Sequence, residues 1–244
     1  MALLRGKKDF FLDVYRAVAE AARFDDFAVS RGFNSHPDGW GLVATDGRWL
    51  VYIRSLRPVW VENYDTINDT ISVLRDDVYA IFHARRASLG MTGRIDFQHP
   101  MRIIKEDGEI YMAHNGFFRK DALKKAFPQI KGIDDSSLTD TQLFAKIIGS
   151  IKGSSEDAIE AAVRALKPNM YSGLANMLFM VIYGRRITGL YFSDYSEDLE
   201  YNRLYLLKKE DLTLVASSTV LLKMYGSNYT EAASVVRKGM LFAI

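Results

Sequence analysis

The sequence predicts an α+β fold: one domain over residues 1–244, with two sheets and helices outside them. Three observations predict it. Strand-like runs come first, helix-like runs fill the middle, and the last third is strand-like again. The Gly-rich phosphate loop and the regular strand–helix alternation of a parallel dinucleotide-binding fold are both missing. A chain of this length buries about 70% of its unfolded surface, so the core needs no disulfide or metal to hold it.

The first helix is expected over about Asp9 to Phe24, where Phe10, Val14, Ala17, Val18 and Ala21 share a face. Gly39 to Thr45 reads as a strand, Asp46-Gly47 as a hairpin turn, and Arg48 to Leu56 as the return strand, ended by Pro58. Asn63 to Arg75 reads as a helix with Ile67, Ile71 and Leu74 inward. Val78 to Phe82 is a short apolar strand that delivers His83, and Glu109 to Ala113 is another that delivers His114-Asn115-Gly116. Helices follow at Arg119 to Phe127, stopped by Pro128, and at Asp140 to Ile151. Ser154-Ser-Glu-Asp157 has capping-box spacing for a helix to about Lys167. Met177 to Tyr183, Ile187 to Phe192, Arg203 to Lys208, Leu212 to Ala216 and Val235 to Ala243 read as strands.

Charge and composition exclude several functions. The formal net charge is +2, and the basic residues are scattered rather than striped, so no nucleic-acid partner is expected. There is no cysteine, hence no thiolate metal site. No run of about 18 apolar residues predicts a membrane span. Arg5, Lys7, Lys8 and Asp9 interrupt any signal-peptide core, so a cytoplasmic protein, mature from residue 1 or 2, is expected. No two of His36, His83, His99 and His114 stand at i, i+4, so no metal is expected, and no cofactor.

Three blocks stand where strand-like runs end or helix-like runs begin: His83-Ala-Arg85-Arg-Ala-Ser88-Leu-Gly90, Tyr111-Met-Ala-His114-Asn115-Gly116 and Leu138-Thr-Asp140-Thr. Asn-Gly is an ordinary turn signal; equally, an Asn amide and a Gly N–H can form an oxyanion hole, each donor worth roughly 3–4 kcal/mol in the transition state. Arg85 reads either as a solvated strand-end cation or as a fork for a substrate carboxylate. Asp140 reads as a helix-dipole partner or as the partner of a substrate ammonium. His36-Pro-Asp-Gly-Trp-Gly41 is a turn or a cleft wall. An Arg, an Asp and an Asn/Gly pair together are what recognition of a free α-amino acid and attack on its side-chain amide require.

In order and spacing these blocks resemble the class II glutamine amidotransferases, a branch of the N-terminal-nucleophile hydrolases. The matching positions are His36 to Gly41, His83 to Gly90, His99-Pro100, His114 to Gly116 and Thr139 to Gln142, with Val215 to Ser218 later. The His36 to Gly41 block is most similar to a small stand-alone subfamily that includes the γ-glutamyl hydrolase of ergothioneine synthesis. The resemblance implies a type 2 amidotransferase domain with a four-layer αββα sandwich. It assigns Arg85 to the glutamine α-carboxylate with Ser88 assisting, Asp140 to the α-ammonium, His114 to substrate binding, and Asn115 and Gly116 to the oxyanion hole. Its substrate is glutamine or another γ-glutamyl amide, and an acceptor enzyme for the ammonia is an allowed partner. Oligomeric state stays open. Three positions depart from the family: Phe97 replaces an Asn, Gln142 replaces a Glu, and Ala2 stands where the family has its nucleophilic cysteine. A methyl group cannot attack an amide. Three readings follow. Either Ala2 stands in for a native cysteine of an amide hydrolase, or the chain is a natural pseudoenzyme that binds γ-glutamyl ligands, or it is a structural partner subunit with a vestigial site.

Overall fold

A computed structural model of the chain describes residues 1–75, 77–88, 91 and 93–244. Leu89 and Gly90 of the His83 block lie outside the described residues. The chain opens on a strand, β1 (Ala2–Lys7), followed by α1 (Asp9–Arg23), the hairpin β2 (Trp40–Thr45) and β3 (Leu50–Ser55), α2 (Tyr64–Ile71), β4 (Asp77–Ala84), β5 (Met101–Ile104) and β6 (Glu109–Phe118). Three helices come next: α3 (Lys120–Ala126), α4 (Asp140–Ser150) and α5 (Ser155–Arg164). The last third holds β7 (Tyr171–Tyr183), β8 (Arg186–Tyr195), β9 (Leu204–Lys209), β10 (Leu212–Ser217), α6 (Ser218–Tyr225), α7 (Tyr229–Ala232), β11 (Ser234–Val235) and β12 (Leu241–Ala243).

The strands form two antiparallel sheets, ordered β11-β9-β10-β1-β4-β2-β3 and β12-β8-β7-β6-β5. Successive side chains of a strand face opposite ways, and this alternation builds the layers. On β1, Ala2 and Leu4 join the cluster beneath α1 and α6, with Phe11, Val14, Val18 and Leu221. Leu3 faces the other way, with Val43 and Ile81, onto Tyr111, Leu178 and Met180 of the second sheet. The outer face of that sheet, with Met112 and Phe179, packs on Phe144, Ile147 and Ile159 of α4 and α5. The order is helix, sheet, sheet, helix. Each fully buried leucine of these layers contributes about 1.5–3 kcal/mol.

Several elements differ from the sequence reading. β1 lies between β10 and β4 at the centre of the larger sheet, although three apolar residues before Arg5 and Gly6 are too few to show a period. Helix α1 buries Phe11, leaving Phe10 half-buried. The expected strand from Val235 to Ala243 is two pieces in different sheets, β11 on β9 and β12 on β8. A turn through Gly239, whose N–H donates to Ser193 O at 2.9 Å, carries the chain across. The complete capping box sits at Thr139 and Gln142, not at Ser154, whose hydroxyl accepts from the Asp157 N–H while the Asp157 carboxylate accepts from that same hydroxyl. No helix of the described residues is long and apolar enough to cross a membrane.

Candidate active site

The ends of β1, β4, β6 and β10 and the start of α4 surround a cavity of about 1440 Å³. Arg85, Ser88, His114, Asn115, Gly116 and Asp140 all line it. Met1 lines it too, whereas Ala2 does not: its methyl is fully buried in the apolar cluster beneath α1. Ala2 is paired on both sides, opposite Phe82 of β4 and Ala216 of β10. Beyond it, the Met1 carbonyl accepts from the Ser217 N–H at 3.1 Å, and the Met1 amino group lies 3.4 Å from Ser217 Oγ. Burial lowers the pKa of that amine to about 6, with Asp25 pulling the other way.

Arg85 extends the β4 strand. Its N–H donates to Gly39 O at 2.8 Å, and its carbonyl accepts from the Asp38 N–H at 3.0 Å. The Asp38 carboxylate accepts from the Ala87 N–H at 2.8 Å, and the Gln98 amide donates to Asp38 O at 2.9 Å. A side chain at Gly41 would meet His99 O at 2.1 Å, so only glycine lets β2 close on the His99 segment. The His36 to Gly41 block takes the cleft-wall role of its two candidates and forms no hydrogen-bonded turn. His36 lines the cavity, and Asp38 to Gly41 brace the arginine segment. The Arg85 guanidinium is buried and donates to Met91 O at 2.9 Å. Burial lowers its pKa, opposed by the carboxylates of Asp38 and Asp140.

His114-Asn115-Gly116 lies inside β6 rather than after it, with Asn115 opposite Asn176 and Gly116 opposite Ala175. The ladder breaks between Gly116 and Phe118, a bulge of the kind that re-aims backbone groups beside active sites. Gly116 has φ +145°, and a Cβ there would sit 2.1 Å from Leu174 O, so both conformation and space demand glycine. The Asp140 carboxylate holds the far side of the bulge, accepting from the Phe118 N–H at 2.6 Å. Burial raises its pKa against the N–H groups of Phe118 and Thr141. At the start of α4, Thr139 Oγ1 accepts from the Gln142 N–H and Gln142 Oε1 from the Thr139 N–H. Gln142 Nε2 also donates to Asp96 O at 3.1 Å. A glutamate there would have no such donor, which gives the departure at Gln142 a physical account.

Three buried histidines tie the strands together. His83 Nε2 lies 3.2 Å from His114 O, the His114 N–H donates to His99 Nδ1 at 3.3 Å, and His114 Nδ1 lies 3.0 Å from Thr141 Oγ1. The bond at His99 is thus made despite Phe97. His114 is 3% exposed and its ring stacks on Phe118 at 4.1 Å, which makes it the floor of the Asn115–Gly116 segment. Burial holds His83 and His114 well below the ordinary value of 6.5 and brings His99 to about 3. The unfolded chain takes up these protons near pH 6.5 and the folded chain resists them. Stability is therefore full above pH 6.5 and lost as pH falls from there towards 3, by up to roughly 1.4 kcal/mol per pH unit for each ring. The melting temperature is expected to fall steeply between pH 6.5 and pH 5. A flat profile over that range contradicts neutral, buried rings.

Residues remote in sequence complete the cavity. Asp25 Oδ2 lies 2.8 Å from His36 Nε2, and Thr219 Oγ1 donates to Asp25 Oδ1 at 2.5 Å. Burial raises the Asp25 pKa, but the hydrogen bonds from His36 and Thr219 outweigh it and leave the carboxyl below its ordinary value. Tyr201 lines the cavity with Asn115, and burial pushes its pKa up to about 12. No motif marks Asp25, Tyr201 or Thr219. Among the described residues no group of three His, Asp or Glu side chains is arranged to hold a metal ion.

No family model matches the sequence, and no curated protein matches it. Solved structures do match. The glutamine phosphoribosylpyrophosphate amidotransferase from B. subtilis, complexed with ADP and GMP, aligns with 100% of this chain at a TM-score of 0.62 and 17% identity. A structure described as the allosteric regulatory enzyme of purine biosynthesis aligns with 100% of it at 0.65 and 19%. The chain spans about half of each, 47% of their length. At such identities the likeness is one of fold: the α+β, four-layer sandwich that the chain shares with these two structures.

Proposed function

From that shared fold, we propose that the chain is a glutamine amidotransferase-like protein whose cavity binds glutamine or another γ-glutamyl amide. Hydrolysis of the side-chain amide requires a thiol at position 2. The observation that carries this reading is the meeting, in one cavity, of Arg85, Asp140, the Asn115–Gly116 pair and the start of the chain. Arg85 offers a fork for the α-carboxylate, with the Ser88 hydroxyl beside it. Asp140 offers a carboxylate for the α-ammonium. The Asn115 amide and the Gly116 N–H face the carbonyl, so that a tetrahedral oxyanion is held by donors fixed before reaction begins. The His36 to Gly41 block supports placement near the small subfamily of γ-glutamyl hydrolases.

With Ala2 in place the site binds and does not turn over. Reading the chain as a natural binding module is favoured by one observation: the Ala2 methyl is fully buried and Met1 occupies the cavity wall instead. Calorimetric titration with L-glutamine tests the binding common to both readings. Saturable heat is expected, and its absence in a folded chain rejects them.

A further inference from the structure

We propose a second ligand site, at the end of the two sheets away from the cavity: Arg48, Arg75 and Arg185 hold a phosphate monoester, and Trp49 holds the flat ring that the ester carries. This site lies beyond the glutamyl reading and does not depend on it.

The strands set its place. β4 runs from Asp77 at this end to Ala84 at the cavity, a span of roughly 24 Å. Here a second hollow of about 490 Å³ is lined by Gly47, Arg48, Trp49, Arg75 and Arg185. That volume falls within the roughly 300–1,000 Å³ of small-molecule pockets. One small ligand fills it, whereas a nucleic acid needs a broad basic stripe, and the basic residues of this chain are scattered.

Specific contacts bring the lining residues together. Asp46 Oδ1 accepts from the Arg48 N–H and the Trp49 N–H, each at 2.8 Å, and Asp46 Oδ2 accepts from the Arg75 N–H at 3.0 Å. One carboxylate thus fixes the backbone of three of them. Gly47 brings in the fourth. Its φ is +80°, and a Cβ there would lie 3.1 Å from Arg185 O, so the β2–β3 turn rests against the β7–β8 turn.

What remains unused is the chemistry of an anion site. Among the described residues, the side chains of Arg48, Arg75 and Arg185 make no hydrogen bond, ion pair or ring contact. Asp46 is the acid held against them, and both of its oxygens are occupied by N–H groups. Asp77 does not line the hollow, and Asp76 lies outside the described residues. Three guanidiniums against one carboxylate leave an excess of two positive charges. A phosphate monoester is a dianion above about pH 6, and its oxygens match the guanidinium fork. Trp49 is 58% exposed, whereas Trp40 is 3% exposed. An exposed indole beside three arginines offers a face for a planar ring.

The test is titration of the chain as it stands with phenyl phosphate, methyl phosphate and inorganic phosphate, followed by calorimetry and tryptophan fluorescence. Phenyl phosphate is expected to fill one saturable site about tenfold more tightly than methyl phosphate, as one stacked ring supplies. Trp49→Leu should bring the two esters level and keep phosphate binding. Arg75→Ala and Arg185→Ala together should weaken phenyl phosphate at least about tenfold. Both side chains are exposed and partnerless, so the doubly altered chain should melt with the parent. No saturable binding of any of the three compounds overturns the inference. So do equal affinities of the two esters in the unaltered chain, and so does binding that survives both alanines, which would put the phosphate elsewhere.

Discussion

The Ala2→Cys protein, freed of Met1, is expected to release ammonia and glutamate from L-glutamine at least a thousandfold faster than the unaltered chain. The expectation rests on position and chemistry together. Residue 2 opens the central strand β1, clamped between β4 and β10, so its backbone position is set by the sheet rather than by a loop. The Ala2 methyl points beneath α1 and not into the cavity, so the thiol of a cysteine there reaches the amide only if loss of Met1 lets the end of β1 turn. Loss of a nucleophile that works with a preorganised oxyanion hole costs on the order of 10⁶ in kcat in serine proteases, so restoring one has a large range to recover. Met1 must leave for two reasons. It lines the cavity, and its presence locks the nitrogen of residue 2 into a peptide bond, where it cannot act as the base that takes the thiol proton. Mass spectrometry establishes removal of Met1, and coupled assays follow ammonia and glutamate. A processed, folded Ala2→Cys protein that stays silent on glutamine and γ-glutamyl amides would reject the hydrolase reading.

The second large effect is on binding. Arg85→Ala and Asp140→Asn are each expected to weaken L-glutamine binding by at least about thirtyfold, as truncating one side of a buried charge pair does. The two changes probe different ends of the ligand. Arg85 is buried with its guanidinium donating to Met91 O, so its loss removes the fork and opens a hole beside the strand end. Asp140 also holds the β6 bulge through the Phe118 N–H. Asparagine keeps an acceptor of the same shape there, so Asp140→Asn removes charge and leaves the brace in place. Titration calorimetry gives the affinities, and the melting temperature of Asp140→Asn should stay within a few degrees of the parent. Unchanged affinity in both proteins means that the ligand does not use this end of the cavity.

The contiguous parts of the site were legible in the sequence because their chemistry is local. Arg after an apolar run and Thr-Asp at a helix start each announce a strand end or a cap within a few residues. What could not be read depends on partners far along the chain. The sequence places His114-Asn115-Gly116 after a strand; only pairing with Asn176 and Ala175 keeps it within β6 and creates the bulge. Strand β1 is invisible to a period search because it is short and buried on both faces. The split of β11 from β12 follows from which sheet edge each reaches, and nothing in Val235 to Ala243 specifies that. Asp25, Tyr201 and Thr219 meet at the cavity from three separate segments. Helix α4 was read to within a residue because Leu143, Phe144, Ile147 and Ile148 repeat at helical spacing after a cap.

The measurement that bears most directly on the central claim is isothermal titration of the unaltered chain with L-glutamine near pH 7.5, where the three buried histidines are neutral. A formed pocket lacking only its nucleophile predicts one saturable site per chain and no ammonia in the cell afterwards. A folded chain that gives no heat with L-glutamine or with any γ-glutamyl amide would contradict the claim and leave the arrangement of Arg85, Asn115, Gly116 and Asp140 as a structural remnant.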